Sequence, residues 1–151
     1  MPVAIAIESP LQEDVRHLIA AAHAVSSALY PAESNHYLGV EALAAGDVTF
    51  LVARAGTHAI GTGALRRHDA TLGEIKQMWI DPDMRGRQLG RRMLEAIEAR
   101  GRALGLHRLA LETGIRNTEA LGLYRKSGYR ECLPFADYRP DPLSVFLSKT
   151  L

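Results

Sequence analysis

Between Val48 and Ile80 the chain carries three consecutive stretches of strand character, Val48 to Arg54, Ala59 to Arg67 and Leu72 to Ile80. Only Ala55-Gly56-Thr57-His58 and the turn at Asp69 to Thr71 separate them. Period-2 alternation marks a strand, and short glycine-bearing links mark hairpins. Strands joined this tightly run antiparallel, because a parallel neighbour needs a crossover of about a dozen residues or more. A meander at the centre of the chain therefore disfavours a doubly wound dinucleotide-binding sheet, whose strands alternate with helices.

Helical spacing dominates on either side. After a short apolar strand over Val3 to Glu8, Ser9-Pro10-Leu11-Gln12 has the residues of a helix start, with Ser9 as N-cap and Pro10 at N1. Val15, Leu18, Ile19, Ala22 and Val25 continue that helix to about Leu29, where Tyr30-Pro31 interrupts it. A second helix is expected over Asn35 to Ala45, closed by Gly46-Asp47. Downstream, Arg85 to Leu104 forms a helix with Leu89, Met93, Leu94, Ile97 and Leu104 on one face. His107 to Glu112 is a strand, Asn117 to Ser127 a helix stopped by Gly128, and Tyr129 to Leu133 and Leu143 to Leu147 are closing strands. The expected class is α/β (α+β), a mixed central sheet with an antiparallel meander in the order βααβββαβαββ. No linker or repeat divides residues 1–151, so a single domain is expected.

Several function classes drop out. The charge is nearly balanced, +1 with histidines neutral, which does not indicate a general nucleic-acid binder. One cysteine, Cys132, permits no internal disulfide and no cysteine-rich metal site; it reads as a small core residue. The six histidines lack ligand spacing, so no metal is expected. No apolar run has the roughly 18–20 residues of a membrane span, and Met1 to Pro10 does not have the pattern of a signal peptide. A soluble cytoplasmic protein with no membrane partner is the expectation.

The chemistry concentrates in Glu74 to Arg92, a strand, a sharp turn at Asp81-Pro82-Asp83, and a glycine- and arginine-rich helix start. The first amides of a helix have no internal acceptor, and the helix dipole adds about half a positive charge there. Gly86 allows close approach of an anion, and Arg85, Arg87, Arg91 and Arg92 add charge. A phosphate or pyrophosphate site is one reading; an ordinary basic first turn on a solvated helix face is the other. The spacing fits neither a Walker loop nor a dinucleotide fingerprint.

This segment resembles the acetyl-CoA-binding motif of the GCN5-related N-acetyltransferases, or GNAT family. That motif is Arg/Gln-x-x-Gly-x-Gly/Ala after a strand ending in Val/Ile-x-Pro. Here Ile80-Asp81-Pro82 precedes Arg85-Gly86-Arg87-Gln88-Leu89-Gly90, with Gln88 where the family usually has glycine. Helical torsions would tolerate that glutamine. A second element, Leu111-Glu112-Thr113 followed by Asn117, Ala120, Leu123-Tyr124 and Gly128-Tyr129, is similar to the family's Asn-x-x-Ala-x-x-x-Tyr-x-x-x-Gly-Phe/Tyr pattern. The order of elements agrees from Val3 to Leu147. Tyr30 to Ser34 and Tyr138 to Phe146 further resemble a YsnE-like bacterial subgroup.

The resemblance implies an acyltransferase that moves an acetyl group from acetyl-CoA to a primary amine of a small polar molecule, or to a protein amine, by direct attack on the thioester. It implies pantetheine binding along Met78, Trp79 and Ile80, with the Met78 N–H polarising the thioester carbonyl. The pyrophosphate would take the amides of Arg85, Gly86, Arg87, Gln88, Leu89, Gly90 and Arg91. For the base, Glu74 comes first, six residues before Ile80 as in the family's histone-acetylating members. Period 2 would place Glu74, Lys76, Met78 and Ile80 on one strand face. The other reading of Glu74 is a same-face pair with Lys76 or a solvated strand end. Glu112 is the second candidate base, or else a carboxylate capping the following helix.

By the same resemblance Tyr124 is the general acid toward the CoA sulfur and also touches the cofactor; otherwise it is a packed core tyrosine. Asn117 bonds the cofactor, or serves only as an N-cap. In this fold the loops Tyr30 to Tyr37 and Phe135 to Ser144 wall the acceptor, making Tyr30, Ser34, Asn35 and Tyr138 substrate-binding candidates. A solvated rim is the alternative for them. A non-catalytic acyl-CoA-binding or regulatory module on the same fold is the competing function; it could dispense with Glu74 and Tyr124. A small nucleic-acid-binding domain is disfavoured by the balanced charge and the missing aromatic platform. A homodimer is a weak expectation only.

Overall fold

The computed structural model describes residues 2–151. In chain order it contains β1 (Val3–Ile7), α1 (Glu13–Leu29), α2 (Val40–Leu43), β2 (Val48–Ala55), β3 (His58–Arg67) and β4 (Leu72–Ile80). Then come α3 (Leu89–Ala103), β5 (Arg108–Gly114), α4 (Thr118–Lys126), β6 (Arg130–Glu131) and β7 (Ser144–Thr150), with 3-10 turns at Ala32–Ser34 and Pro82–Met84. This is the anticipated order. The strands form one seven-stranded sheet arranged β1-β2-β3-β4-β5-β7-β6, in which β4 and β5 are the parallel pair.

Each face of the sheet is covered by helices that bury one apolar stripe. On one face α3 and α4 set Leu89, Met93, Leu94, Ile97, Leu121 and Tyr124 against Leu51, Leu65, Ile75, Leu109, Leu111 and Leu147. Full burial of each such aliphatic side chain is worth roughly 1.5–3 kcal/mol. On the other face Val15 and Ile19 of α1 and Leu43 of α2 pack on Phe50, Val52 and Ala64. A smaller cluster of Ala110, Phe135 and Phe146 lies beneath the 133–143 loop, and Cys132 packs, half-buried, against it.

Several expected boundaries move. Ser9 does not cap α1: its hydroxyl accepts the Leu11 N–H at 3.1 Å in a local turn, and the helix begins at Glu13. The helix expected over Asn35 to Ala45 shrinks to Val40–Leu43. The Asn35 amide is spent on the Tyr30 and Pro31 carbonyls, and Ser34 bonds Asp141, which ties the segment to the far loop. The helix expected from Arg85 starts only at Leu89, because Gly86 and Gln88 both adopt positive φ, +81° and +59°. Gln88 is therefore left-handed rather than helical, a conformation glycine takes freely and other residues at about 1–2 kcal/mol. The strand expected over Tyr129 to Leu133 is reduced to Arg130–Glu131.

The consequential irregularity lies in β4. Thr62 pairs with Trp79 and Ala64 with Lys76, so Gln77 and Met78 together oppose the single residue Gly63. Gln77 sits at φ +55°, a bulge that reverses the alternation. Glu74 and Lys76 consequently share the α1 face with Ala64, whereas Met78 and Ile80 pack into the α3 core. The expectation of one common face for all four is corrected: an extra residue in the strand moves everything beyond it to the opposite side.

Candidate active site

The sheet comes apart where its two halves meet. β4 and β5 are paired only through Leu72–Arg108, Gly73–Leu109 and Glu74–Ala110. Beyond those rungs the two strands continue to Ile80 and Gly114 without bonding each other, leaving a wedge with unpaired backbone edges. The Gln77 bulge stands on one wall of the wedge.

At the outer end lies the start of α3. Asp81 accepts the Asp83 N–H at 3.0 Å, ending β4 in a compact turn. From Gly86 through Arg91 no amide has a backbone acceptor among the described residues; Arg92 is the first, bonding the Gln88 carbonyl. The segment Arg85 to Gln88 is exposed. The Arg85 guanidinium lies 4.9 Å from the Trp79 ring centroid and its Nε donates to the Ile80 carbonyl at 3.1 Å. The Trp79 indole N–H is buried with no partner. The Leu89 side chain belongs to the core and the Arg91 side chain pairs with Glu95, so these two positions present only amides. Free amides, a stacked guanidinium and Gly86 fit a diphosphate.

On the α1 face, at the last shared rung, stands Glu74, 2% exposed. Its Oε1 is 2.8 Å from His68 Nε2, and its Oε2 accepts from Lys76 Nζ at 3.1 Å and from the Tyr138 hydroxyl. Lys76 also donates to the Tyr138 oxygen and the His36 carbonyl, both at 2.9 Å. Tyr138 is packed among Phe135, Phe146 and His36, and burial raises its phenol above the ordinary value. Glu112, two residues past Ala110 on the same face, accepts one hydrogen bond, from Ser144 Oγ at 2.7 Å. Burial lifts its carboxyl above the usual range, partly offset by Ser144.

Tyr124 comes from the opposite side, on α4, 5% exposed and edge-on to Tyr129 at 5.9 Å. Burial alone raises its phenol, and its hydroxyl has no hydrogen-bond partner among the described residues. Asn117 occupies the N-cap position without capping. Its side chain instead donates to Thr113 Oγ1 at 3.0 Å and accepts from the Tyr30 hydroxyl at 3.2 Å. Tyr30 also receives the Arg116 N–H at 3.0 Å and lies against Gly114, where a Cβ would collide with its ring. Tyr30 and Asn35 line a cavity of about 330 Å³ with Ser27, Ala32 and Tyr37.

Thus the structure gathers Glu74, Tyr138 and Glu112 on one face, puts Tyr124 on the other, and commits Asn117, Ser34 and Asn35 to internal bonds. Sequence reasoning missed His68, His23 and Thr62. No local spacing marks them; they reach the site through sheet register and loop packing. Among the described residues no group of three or more His, Cys, Asp or Glu could hold a metal ion. Among the described residues no helix is long and apolar enough to cross a membrane.

A mixed sheet split between its parallel strands, with unpaired amides at a helix start at the mouth, is an architecture shared with acyltransferases. The chain belongs to the acetyltransferase (GNAT) family, whose model matches residues 13–129. It is 47% identical over 150 residues to the IAA acetyltransferase of Azospirillum brasilense, covering 99% of this chain and 98% of that protein. It is 39% identical over 123 residues to the N-acetyltransferase YsnE of Bacillus subtilis, covering 80% and 82%. Among solved structures, a protein of Klebsiella pneumoniae described as an acyl-CoA N-acyltransferase superposes with a TM-score of 0.83 at 37% identity, over 99% of this chain and 97% of that one. PaiA N-acetyltransferase of Thermoplasma acidophilum, solved with coenzyme A, shares the fold at a TM-score of 0.74 and 18% identity, over the whole of both chains.

Proposed function

We propose that this protein is an acetyl-CoA-dependent N-acetyltransferase that acetylates a primary amine of a small polar molecule or a protein amine. The observation that carries the reading is the wedge beyond the Glu74–Ala110 rung, flanked by carboxylates on one face and a free phenol on the other. The amides of Gly86 to Arg91 receive the diphosphate, and pantetheine lies along Met78 to Ile80 as an added strand, which places the thioester by the bulge. An N–H at Met78 then meets the developing oxyanion.

A primary ammonium near pKa 10 loses a proton before its nitrogen can attack. Both carboxylates are candidate bases, and the geometry supports Glu112 ahead of Glu74. Glu112 has a raised pKa and a single donor, which leaves lone pairs for a proton. Glu74 already faces His68, Lys76 and Tyr138, and its role is to hold Tyr138 and Lys76 in the acceptor wall. The amine nitrogen bonds the thioester carbon, the C–S bond breaks, and an amide and a thiolate result. One proton of the ammonium goes to Glu112 and then to solvent; the nitrogen's second surplus proton ends on sulfur. Tyr124 hydrogen-bonds that sulfur from the opposite face and passes the proton, remaining a phenol at rest.

The test is thiol release from acetyl-CoA across a panel of amines, peptides and IAA, the acceptor in the name of the Azospirillum relative. An accelerated release with at least one amine is expected. Absence of coenzyme A binding in calorimetry, or binding without turnover on any acceptor, overturns the reading.

A further inference from the structure

The bulge in β4 is built on a glutamine, and what holds that glutamine has a function of its own. A side-chain-bearing residue at φ +55° persists only where its surroundings fix it. Two contacts do so here. Thr62, 0% exposed on β3, donates its hydroxyl to the Gln77 carbonyl at 2.8 Å. From above, the His23 ring on α1 donates Nε2–H to Gln77 Oε1 at 3.1 Å. His23 is itself held face to face on Tyr37, with centroids 3.9 Å apart and planes 18° from parallel. Main chain and side chain of Gln77 are thus gripped by two different elements, and the second grip leads to the loop that lines the 330 Å³ cavity.

The geometry points to Thr62 and His23 as positioning residues for acyl transfer: they clamp the Gln77 bulge and thereby aim the adjoining Met78 N–H into the wedge. The inference rests on the acetyl-CoA reading above. With Thr62 bonded to its carbonyl, the Gln77–Met78 peptide cannot rotate without leaving a buried hydroxyl unpaired. The same peptide carries the Met78 N–H, so fixing one end of the group fixes the direction of the other. Neither side chain reaches the wedge as a donor; each acts through Gln77.

The experiment reads the thioester directly. Infrared difference spectra of carbonyl-labelled acetyl-CoA on the wild-type protein should show the C=O stretch lowered from its value in solution. Thr62→Val keeps shape and removes the donor; it should return the band toward solution and lower kcat at least about tenfold. Coenzyme A, which lacks the carbonyl, should keep its Kd within about twofold. Thr62→Ser, which restores a hydroxyl, should recover both band and kcat. His23→Leu should move them in the same direction, and it keeps the test open if Thr62→Val does not fold. A band and a kcat unchanged in folded Thr62→Val and His23→Leu overturn the clamp. So does an equal loss of coenzyme A affinity, kcat and Tm, which a purely structural role would give. A wild-type band at its solution value overturns it as well. Failure of coenzyme A to bind at all instead removes the acetyl-CoA reading, and the clamp with it.

Discussion

At the scale of residues, the site separates two carboxylates that the sequence could only rank. Glu74 and Glu112 share a sheet face, yet three donors surround the first and one the second. For Glu112 the sign is definite. Its folded pKa lies above the unfolded value because burial disfavours the carboxylate, so folding binds a proton in the window between the two. Stability from this group is present below the unfolded value and lost as pH rises through the folded one. Activity runs the other way, since a base works ionised, and kcat/KM should fall with decreasing pH through that raised value. Glu112→Gln should cost about a hundredfold or more in kcat/KM and abolish that acid limb. Glu74→Gln should instead raise KM for the acceptor and leave the limb in place. A pH–rate profile of both variants decides; an unaltered acid limb in Glu112→Gln would return the role to Glu74.

At the scale of elements, what the chain discloses in advance is whatever repeats with the period of its own backbone. The meander from Val48 to Ile80 and the stripe of Leu89, Met93, Leu94 and Ile97 were legible because alternation and 3.6-residue spacing belong to the elements themselves. The bulge was not, because Gln77 carries no glycine to mark a positive φ; Thr62, 15 residues earlier, helps hold it. The short α2 was overcalled for a related reason: the Asn35 amide and the Ser34 hydroxyl find partners that only the fold supplies. Gln88 is the most exposed to test. At φ +59° a β-branched residue is strongly disfavoured, so Gln88→Val should destabilise by about 1–3 kcal/mol and weaken coenzyme A. Gln88→Gly should keep coenzyme A affinity, its relief of strain offset by chain entropy. Chemical denaturation and calorimetry on the two variants measure both quantities.

At the scale of the whole molecule, the two motifs lie on opposite sides of the parallel junction: Ile80 to Gly90 begins on the last residue of β4, and Asn117 to Tyr129 follows β5. This is why both together identify the family while neither alone describes the wedge. A ligand that seats itself there prefers the folded state, so coenzyme A at a hundred times its Kd should add about 2.7 kcal/mol and raise Tm. A scan with no shift would count against the site.

Three rungs are all that bind β4 to β5, while β5 is laddered along its whole length to β7 and β4 is laddered to β3 on both sides of the Gln77–Met78 bulge. The sheet is in that sense two panels on a narrow hinge, and a cosubstrate threaded between them would be a keystone rather than a guest. Amides of Ile75 to Ile80 and Leu111 to Gly114 should then exchange with deuterium slowly in the loaded protein and faster in the bare one, the two panels tightening in step.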